Sequence, residues 1–234
     1  MQQTQTVFRS EHKYLLNYDK ALQLRKRLEL ALKRDAHATN SGYMVRSLYF
    51  DSINQQDFCE KDAGTEIRKK VRLRVYSTED RFCKLEVKQK NGSSQKKTSL
   101  SINRGDAQAL IQGDYSVLTK YFSSHPEASK IYQWMMLECY RPVALIEYNR
   151  IAYTYPKHNT RITFDSNIRT SESCIDIFRI DPLYYPVINE KVVLEVKFDQ
   201  HLMKFISDIL KPFQLTACSV SKYCSGRPVF YEYG

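Results

Sequence analysis

Several short segments of this chain place a charged side chain at every second position. Around Lys70 the order is Lys-Val-Arg-Leu-Arg-Val-Tyr, and around Leu85 it is Lys-Leu-Glu-Val-Lys-Gln-Lys. Glu195 and Lys197 alternate with apolar residues near the other end of the chain. Because successive side chains of a strand point to opposite faces, each segment has one aliphatic and one charged face. The charged faces either lie in water or line a basic channel, and their recurrence at both ends favours the channel.

The same patterning predicts the secondary structure along the chain. Strands are predicted at residues 8–17, 43–51, 66–77, 81–90, 95–102, 143–155, 160–169 and 190–198. Helices are predicted from Lys20 to about Arg34 with Asp19 as the cap, and at 54–61, 106–112, 115–140 and 200–210. The apolar stripe of the first helix would comprise Leu22, Leu24, Leu28, Leu30 and Leu32.

Short connections between these strands indicate how they pair. The dipeptide Asn91-Gly92 is a strong signal for a hairpin turn. The strict alternation of strands and helices that a parallel doubly wound sheet needs is absent. We therefore predict an α+β fold with an antiparallel sheet, open or closed, and helices packed outside it.

The composition of the chain is consistent with one domain spanning residues 1–234. It also suggests that the protein binds a polyanionic partner. The 234 residues are 42% hydrophobic, which is enough for a sizeable core. Lysine and arginine number 36 against 26 acidic residues, so the formal net charge is +10. A basic protein attracts nucleic acid, anionic membranes or phosphate polymers, and charge alone does not choose among them.

Several classes of function lack their sequence signatures. The first nine residues carry no apolar signal core, and no apolar run is long enough to span a bilayer. The chain is therefore expected in the cytoplasm, with recruitment to a membrane by a partner left open. Neither a Rossmann motif nor a P-loop is present, and six scattered cysteines form no C-x-x-C pair. No helix-turn-helix, RNP1 or zinc-finger pattern supports nucleic-acid binding.

Side-chain parity predicts which charged residues share a face. The groups that face together are Arg72 with Arg74, Lys84 with Glu86, Lys88 and Lys90, Glu195 with Lys197, Tyr148 with Arg150, and Arg161 with Asp165. Glu147 falls on the face opposite to Arg150 and is excluded. Converging cations repel one another unless an anion fills the space, and condensed phosphates suit arginine and lysine. The carboxylates would then bind Mg²⁺ or Mn²⁺.

Eight short motifs in order carry a resemblance to a known family. They are Glu11-His12-Lys13-Tyr14, Ser47-Leu48-Tyr49-Phe50-Asp51, Arg72-Leu73-Arg74, Leu85-Glu86-Val87-Lys88, Tyr148-Asn149-Arg150, Arg161-Ile162-Thr163-Phe164-Asp165, Leu194-Glu195-Val196-Lys197 and Ser221-Lys222-Tyr223. The chain resembles VTC-type polyphosphate polymerase domains of the triphosphate tunnel metalloenzyme superfamily. The resemblance covers residues of about 7–226, as a catalytic domain without attached phosphate-sensing or transmembrane regions.

The resemblance implies a fold, a reaction and a set of site residues. The fold would be an eight-stranded antiparallel tunnel barrel, and the reaction a metal-dependent transfer of the ATP γ-phosphate onto polyphosphate. Phosphate contacts are implied for Lys13, Arg72, Arg74, Lys88, Tyr148, Arg150, Arg161, Lys197 and Lys222. Metal ligands are implied for Glu195 and, at the superfamily's acidic strand positions, Glu86 and Glu11. The first strand reads Glu-His-Lys where the superfamily's fuller pattern is Glu-x-Glu-x-Lys.

Other interpretations of the same residues stay open. Inorganic triphosphate or a nucleoside triphosphate could be hydrolysed with water as the acceptor, or the domain could bind polyphosphate without turnover. Glu86 could form only salt bridges, and Asp51 and Asp165 could order nearby backbone or arginines. Trp134, the single tryptophan, is expected to pack a helix rather than to bind a ligand.

Overall fold

A computed structural model of the chain describes residues 9–36, 39, 41–92 and 94–227. Phe8, where the first strand was predicted to begin, lies outside this range. The strands are β1 Arg9–Asn17, β2 Lys33–Arg34, β3 Tyr43–Asp51, β4 Ile67–Val75, β5 Phe82–Asn91, β6 Ser94–Asn103, β7 Arg141–Tyr155, β8 Thr160–Ser171, β9 Tyr185–Pro186 and β10 Lys191–Asp199. The α-helices are α1 Tyr18–Glu29, α2 Gln56–Asp62, α3 Arg104–Ile111, α4 Glu127–Leu137, α5 Lys204–Leu210 and α6 Lys222–Gly226, and 3₁₀ turns occupy Tyr115–Tyr121, Lys157–Asn159 and Lys211–Phe213.

The predicted antiparallel α+β architecture is confirmed. Eight strands follow one hydrogen-bonded order, β1-β10-β8-β7-β3-β4-β5-β6, and the two-residue strands β2 and β9 pair with β7 and β8. The sheet is open within the described residues, because β1 and β6 end the order without pairing to each other. The hairpin at Asn91-Gly92 joins β5 and β6 as predicted, with Asn91 opposite Ser94.

The predicted strands agree with the observed ones to within a few residues, but the first helix was predicted wrongly. α1 begins at Tyr18 after Asn17, so Asp19 lies in its first turn and is not the cap. The helix ends at Glu29, and Lys33 and Arg34 leave it to pair with β7. The apolar stripe correspondingly comprises Ala21, Leu24 and Leu28, with Leu32 also buried, whereas Leu22 and Leu30 are 49% and 90% exposed.

Two further helix predictions were too long. The predicted helix at 115–140 is a 3₁₀ turn followed by α4, with Pro126 at the helix start as predicted. The predicted helix at 200–210 begins only at Lys204 and passes into the 3₁₀ turn that contains Pro212. In the residues that the structure describes, no helix combines the length and the apolar character needed to cross a membrane.

The chain divides into two compact units, and each has its own core. The first unit comprises residues 1–44, 148–168 and 188–221, and the second comprises 45–147, 169–187 and 222–234. In the first unit, α1 and α5 pack apolar residues such as Leu24 and Ile206 against β10 and β8. In the second unit, Leu48, Leu73, Leu85 and Leu100 lie side by side across four strands. All four are buried, and each contributes about 1.5–3 kcal/mol to folding. The prediction of a single domain stays a prediction.

Asp51 connects β3, α2 and α6 of the second unit through hydrogen bonds. Its Oδ1 accepts hydrogen bonds from the backbone amides of Ser52 and Asp57, and its Oδ2 accepts one from that of Phe58. Two of these donors lie in the first turn of α2, where backbone amides have no partner within the helix. The Tyr223 hydroxyl of α6 also donates to Oδ2. Asp51 therefore caps α2 from four residues before its formal N-cap and anchors α6.

Replacing Asp51 by alanine should lower the free energy of unfolding by roughly 2–5 kcal/mol, because buried donors lose their acceptor. Denaturant unfolding of wild type and variant measures this difference. The matched control is Asp19→Ala, which removes an exposed carboxylate from a helix first turn and should cost less than about 1 kcal/mol. Equal effects of the two substitutions would contradict the anchoring role of Asp51.

Candidate functional site

One face of β3–β6 in the second unit carries a dense array of positive charge. Residues directly opposite one another across these strands form four rows. The rows are Ser47-Arg74-Lys84-Ser101, Tyr49-Arg72-Glu86-Ser99, Lys70-Lys88-Lys97 and Arg68-Lys90-Gln95. This charged face thus holds eight lysine or arginine residues and a single glutamate. Like charges placed directly opposite each other destabilise a sheet, so the arrangement opposes folding unless an anion offsets it.

Glu86 contacts three of the cations of the charged face. The guanidinium of Arg72 contacts Glu86 Oε2 through Nη2 at 2.8 Å and Nε at 2.9 Å. Arg74 Nη1 lies 3.7 Å from the same oxygen, and Lys97 contacts Oε1. Burial raises the pKa of the Glu86 carboxyl, but Arg72, Arg74 and Lys97 outweigh it and lower the pKa to about 2. Glu86 therefore stays ionised and orients both arginines.

Tyr49 supports the same arginine from β3. Arg72 Nη1 donates a hydrogen bond of 2.9 Å to the Tyr49 hydroxyl, and its guanidinium lies 5.7 Å from the ring centroid. The Tyr49 ring stacks on Tyr223 with a centroid distance of 4.9 Å. Arg74 Nε donates to the Ser47 hydroxyl at 3.2 Å. Arg72 is therefore held by hydrogen-bond partners on both neighbouring strands, and Arg74 is held by a hydrogen bond to β3 and by its ion pair with Glu86 on β5.

Two further predicted phosphate contacts belong to this unit. Lys88 is exposed in the central strand of the charged face, opposite Lys70 and Lys97. Lys222 is half-buried and begins α6, directly before the Tyr223 ring that stacks on Tyr49. The structure thus brings Arg72, Arg74, Glu86 and Lys88 onto one face, as parity predicted.

A second charged cluster lies on β1 and β10 in the first unit. Lys13 is paired opposite Glu195, and Glu11 is paired opposite Lys197. Lys13 Nζ lies 3.4 Å from Glu11 Oε1 and 3.8 Å from Glu195 Oε1. Lys197 Nζ lies 3.7 Å from Glu11 Oε2 and 3.0 Å from Glu195 Oε2. Each lysine therefore contacts both carboxylates, and opposite charges alternate where the second unit places like charges together.

Arg150 joins this cluster through a bidentate ion pair. Its Nε and Nη2 contact the two Asp165 oxygens at 2.6 and 2.7 Å, and Nη2 lies 3.9 Å from Glu195 Oε2. The guanidinium sits 5.2 Å from the ring centroid of buried Tyr148, which confirms that these two residues share a face. Burial disfavours the charge, but the Asp165 carboxylate outweighs it and raises the pKa of Arg150 well above its usual range. Asp165 is thus an orienting partner.

Arg161 lies opposite Lys197 on β8 but contacts other partners. Its Nη2 is 2.6 Å from an Asp35 oxygen and donates a 3.1 Å hydrogen bond to the Tyr43 hydroxyl. Asp165, which was predicted to share this face, forms its ion pair with Arg150. Parity therefore placed Arg161 on the correct face without identifying its contacts.

The carboxylates of the first unit are candidate ligands for a divalent metal. Within the described residues no group of three or more His, Cys, Asp or Glu side chains is arranged to hold an ion. Glu11 and Glu195 nevertheless share the same lysines, and Thr163 lies opposite Glu195 with its buried hydroxyl lacking any hydrogen-bond partner. Mg²⁺ commonly binds one or two carboxylates together with substrate phosphates and water. This donor set fits such a shared ion, whereas the cations around Glu86 disfavour a metal there.

Glu147, which parity excluded, belongs to a separate network in the second unit. Arg46 Nε donates to Glu147 Oε2 at 2.6 Å, Arg169 contacts Oε1, and the Tyr184 hydroxyl donates to Oε2 at 3.1 Å. Burial raises the pKa of Glu147, but the two arginines outweigh it and lower the pKa. Arg46 also donates to the backbone carbonyl of Ile177 at 3.1 Å, so this network holds the segment before β9.

Lys97 and Tyr49 were not predicted as site residues from the sequence. The signal for Lys97 was available, because the Asn91-Gly92 turn fixes the pairing of β5 with β6 and hence Lys88 opposite Lys97. Tyr49 gave no such signal, because a helix and a long connection separate β3 from β4 and leave their register unspecified by any turn.

Comparison with known proteins gives a family and a fold. A family model described as the VTC domain matches residues 8–231. A crystal structure from Bacillus halodurans, described as a candidate adenylate cyclase, shares 12% identity with a TM-score of 0.52 and covers 92% of this chain and 95% of its own. A similarly described protein from Vibrio parahaemolyticus shares 12% identity at a TM-score of 0.48, over 92% and 94% of the two chains. The similarity to the Bacillus halodurans structure shows the fold alone. No curated protein matches the chain.

The phenol of Tyr49 should ionise at unusually low pH. Burial opposes its ionisation, but the positive charges of Arg72, Arg74 and Lys70 and the hydrogen bond from Arg72 lower the pKa to about 8. Between about pH 8 and 10 the unfolded chain then binds one proton more than the folded chain, so this group makes stability rise with pH by about 1–3 kcal/mol. Ultraviolet titration of tyrosinate should show a transition near pH 8 that is absent from Tyr49→Phe.

The stacked neighbour provides the control for this titration. Burial and the Asp51 carboxylate raise the pKa of Tyr223, so Tyr223→Phe should retain the transition near pH 8. A wild-type protein without that transition, or a Tyr49→Phe variant that keeps it, would show that the cations do not act on Tyr49 as described.

Proposed function

Because this chain belongs to the VTC domain family, we propose that it is a metal-dependent phosphotransferase that moves the γ-phosphate of ATP onto a growing polyphosphate chain. Membership of a triphosphate-tunnel family makes a triphosphate the expected substrate class. We infer transfer to polyphosphate from the chemistry of the charged residues.

The charged face of the second unit is the observation that carries the proposal. Lys70, Lys88 and Lys97 stand opposite one another in a single row, beside the row that holds Arg72. A condensed phosphate carries negative charge along its whole length, so it offsets several rows at once. Arginine forks match phosphate oxygens bidentately, and lysines add point charges. A substrate with one isolated charge would leave most of this repulsion in place.

The residues of the second unit have distinct roles in the proposed reaction. Arg72 and Arg74 bind phosphate oxygens and balance the charge that develops during transfer. Glu86, Tyr49 and Ser47 act through these arginines by fixing their orientation before substrate binds. Phosphoryl transfer depends mainly on positioning and electrostatic stabilisation. The terminal oxygen of a polyphosphate acceptor is already ionised, so no strong general base is required.

In the first unit, Glu195 and Glu11 would hold a divalent cation, Mg²⁺ or Mn²⁺. When bound, such an ion would supply positive charge that offsets the charge of the phosphate oxygens. Lys13 and Lys197, which contact these carboxylates, would then be released to bind phosphate. Arg150, fixed by Asp165 and Tyr148, and Arg161 would supply further positive charge to the substrate.

The alternative function is hydrolysis of inorganic or nucleoside triphosphate by the same residues. The acceptor distinguishes the two reactions, since water gives only free phosphate and a phosphate chain gives polymer. A third hypothesis is that the domain binds polyphosphate without turnover, and it predicts that neither product forms. The large number of aligned cations favours a long phosphate acceptor over water, because a lone triphosphate does not extend across all the rows.

Incubation of the purified protein with ATP and Mn²⁺ or Mg²⁺ should yield long polyphosphate on a gel. Arg72→Ala and Glu195→Ala should each lower the rate on the order of 10²–10³-fold, because each removes a charge that acts on the phosphates or on the cation. Lys204→Ala is the matched control, since the side chain of this lysine is 88% exposed and contacts exposed Asp208.

Each outcome of this assay distinguishes among the three proposed functions. Free phosphate without polymer would establish the triphosphatase reaction, and binding without either product would overturn an enzymatic role. A Glu195→Ala variant with wild-type rate and unchanged metal requirement would exclude the carboxylate as a metal ligand.

A further inference from the structure

Tyr223 of α6 is a fully buried tyrosine whose ring lies against two residues of the charged face. The ring stacks on Tyr49 with a centroid distance of 4.9 Å and an interplanar angle of 14°. Lys70 Nζ lies 5.5 Å from the centroid of the same ring, within the range of a cation–π contact. Tyr49 and Lys70 belong to adjacent rows of the charged face, so one buried side chain contacts both rows.

The position of the Tyr223 side chain is fixed from β3 and α2. Its hydroxyl donates a hydrogen bond to Asp51 Oδ2, an oxygen that also accepts a hydrogen bond from the backbone amide of Phe58. The Phe58 ring meets the Tyr223 ring edge-on at a centroid distance of 6.2 Å. The hydrogen bond and the two aromatic contacts together give the Tyr223 ring one defined orientation.

The Tyr223 ring acts on a site arginine through Tyr49. The Tyr49 hydroxyl accepts the 2.9 Å hydrogen bond from Arg72 Nη1, so any displacement of Tyr49 moves an acceptor that orients this arginine. Tyr49 is only 6% exposed, and the stacked Tyr223 ring covers one face of it. A side chain without a flat ring at position 223 would leave a gap against Tyr49 and allow it to move.

We propose that Tyr223 is a positioning residue of the charged face, and that its ring keeps Arg72 and Lys70 in place for a condensed phosphate. This inference rests on the phosphate-binding function proposed above. Tyr223 is buried and therefore acts through its neighbours rather than on the ligand. The ring makes both contacts with the charged face, whereas the hydroxyl bonds to Asp51 behind it.

The affinity for inorganic triphosphate, measured by calorimetry, tests this role. Tyr223→Leu should weaken binding by about tenfold or more, because Arg72 and Lys70 lose their fixed positions. Tyr223→Phe keeps the ring and should bind triphosphate with nearly wild-type affinity.

Tyr140→Leu is the matched control for a purely structural effect. Tyr140 is also fully buried, and its hydroxyl donates a 2.8 Å hydrogen bond to Asp57, as that of Tyr223 does to Asp51. Its ring contacts Lys69, whose side chain points away from the charged face. Tyr140→Leu should therefore lower the free energy of unfolding and leave the affinity for triphosphate unchanged.

The ionisation of Tyr49 supplies a second measurement that needs no ligand. Burial raises the pKa of Tyr49, but the charges of Arg72, Arg74 and Lys70 outweigh it and lower the pKa to about 8. A phenol displaced from Arg72 loses part of this effect, so Tyr223→Leu should move the tyrosinate transition to higher pH. A wild-type protein that binds no triphosphate would refute the proposed function, and the titration would still decide the positioning role.

Three results would overturn the positioning role of Tyr223. The first is a folded Tyr223→Leu variant in which Tyr49 still titrates near pH 8. The second is an equal loss of triphosphate affinity in Tyr140→Leu and Tyr223→Leu, and the third is a tenfold loss in Tyr223→Phe. Tyr223→Met, which fills the space with a flexible chain and no ring, undergoes the same measurements if Tyr223→Leu does not fold.

Discussion

Strand register in the second unit places lysine and arginine side chains directly opposite one another. The electrostatic repulsion between these side chains is the constraint on which the rest of the site depends. Backbone pairing fixes Lys70 against Lys88 and Lys88 against Lys97, so the side chains separate only by bending away. Glu86 relieves part of the repulsion because Arg72, Arg74 and Lys97 all reach it. The remaining positive charge favours any ligand that carries several negative charges in sequence.

The two units differ in how their charged side chains are arranged. In the first unit, Lys13 and Lys197 each contact Glu11 and Glu195, so the charges are balanced and the carboxylates stay close together. In the second unit, one buried carboxylate faces a surplus of cations. Paired carboxylates suit a divalent ion, and surplus cations suit phosphate oxygens.

The sequence predicted these arrangements where the information was local. Alternation around Arg72 and around Glu195 was enough to place the strands and to assign charged residues to faces. Features that depend on distant pairing were not predictable in this way. α1 ends early because Arg34 pairs with Tyr153 of β7, and α2 is capped by Asp51 through hydrogen bonds from beyond the normal capping position. Parity placed Asp165 on the same face as Arg161, but it carried no information that Arg150 on the neighbouring strand is the ion-pair partner of Asp165.

The most direct measurement of the central claim is the unfolding free energy with and without inorganic triphosphate at constant ionic strength. If the charged face binds condensed phosphate, triphosphate at one hundred times its dissociation constant should raise the free energy of unfolding by about 2.7 kcal/mol. Sulfate of equal ionic strength should stabilise it far less, and Arg72→Ala/Arg74→Ala should lose most of the difference. Equal stabilisation by sulfate and triphosphate, or a gain that survives in the double variant, would contradict the account.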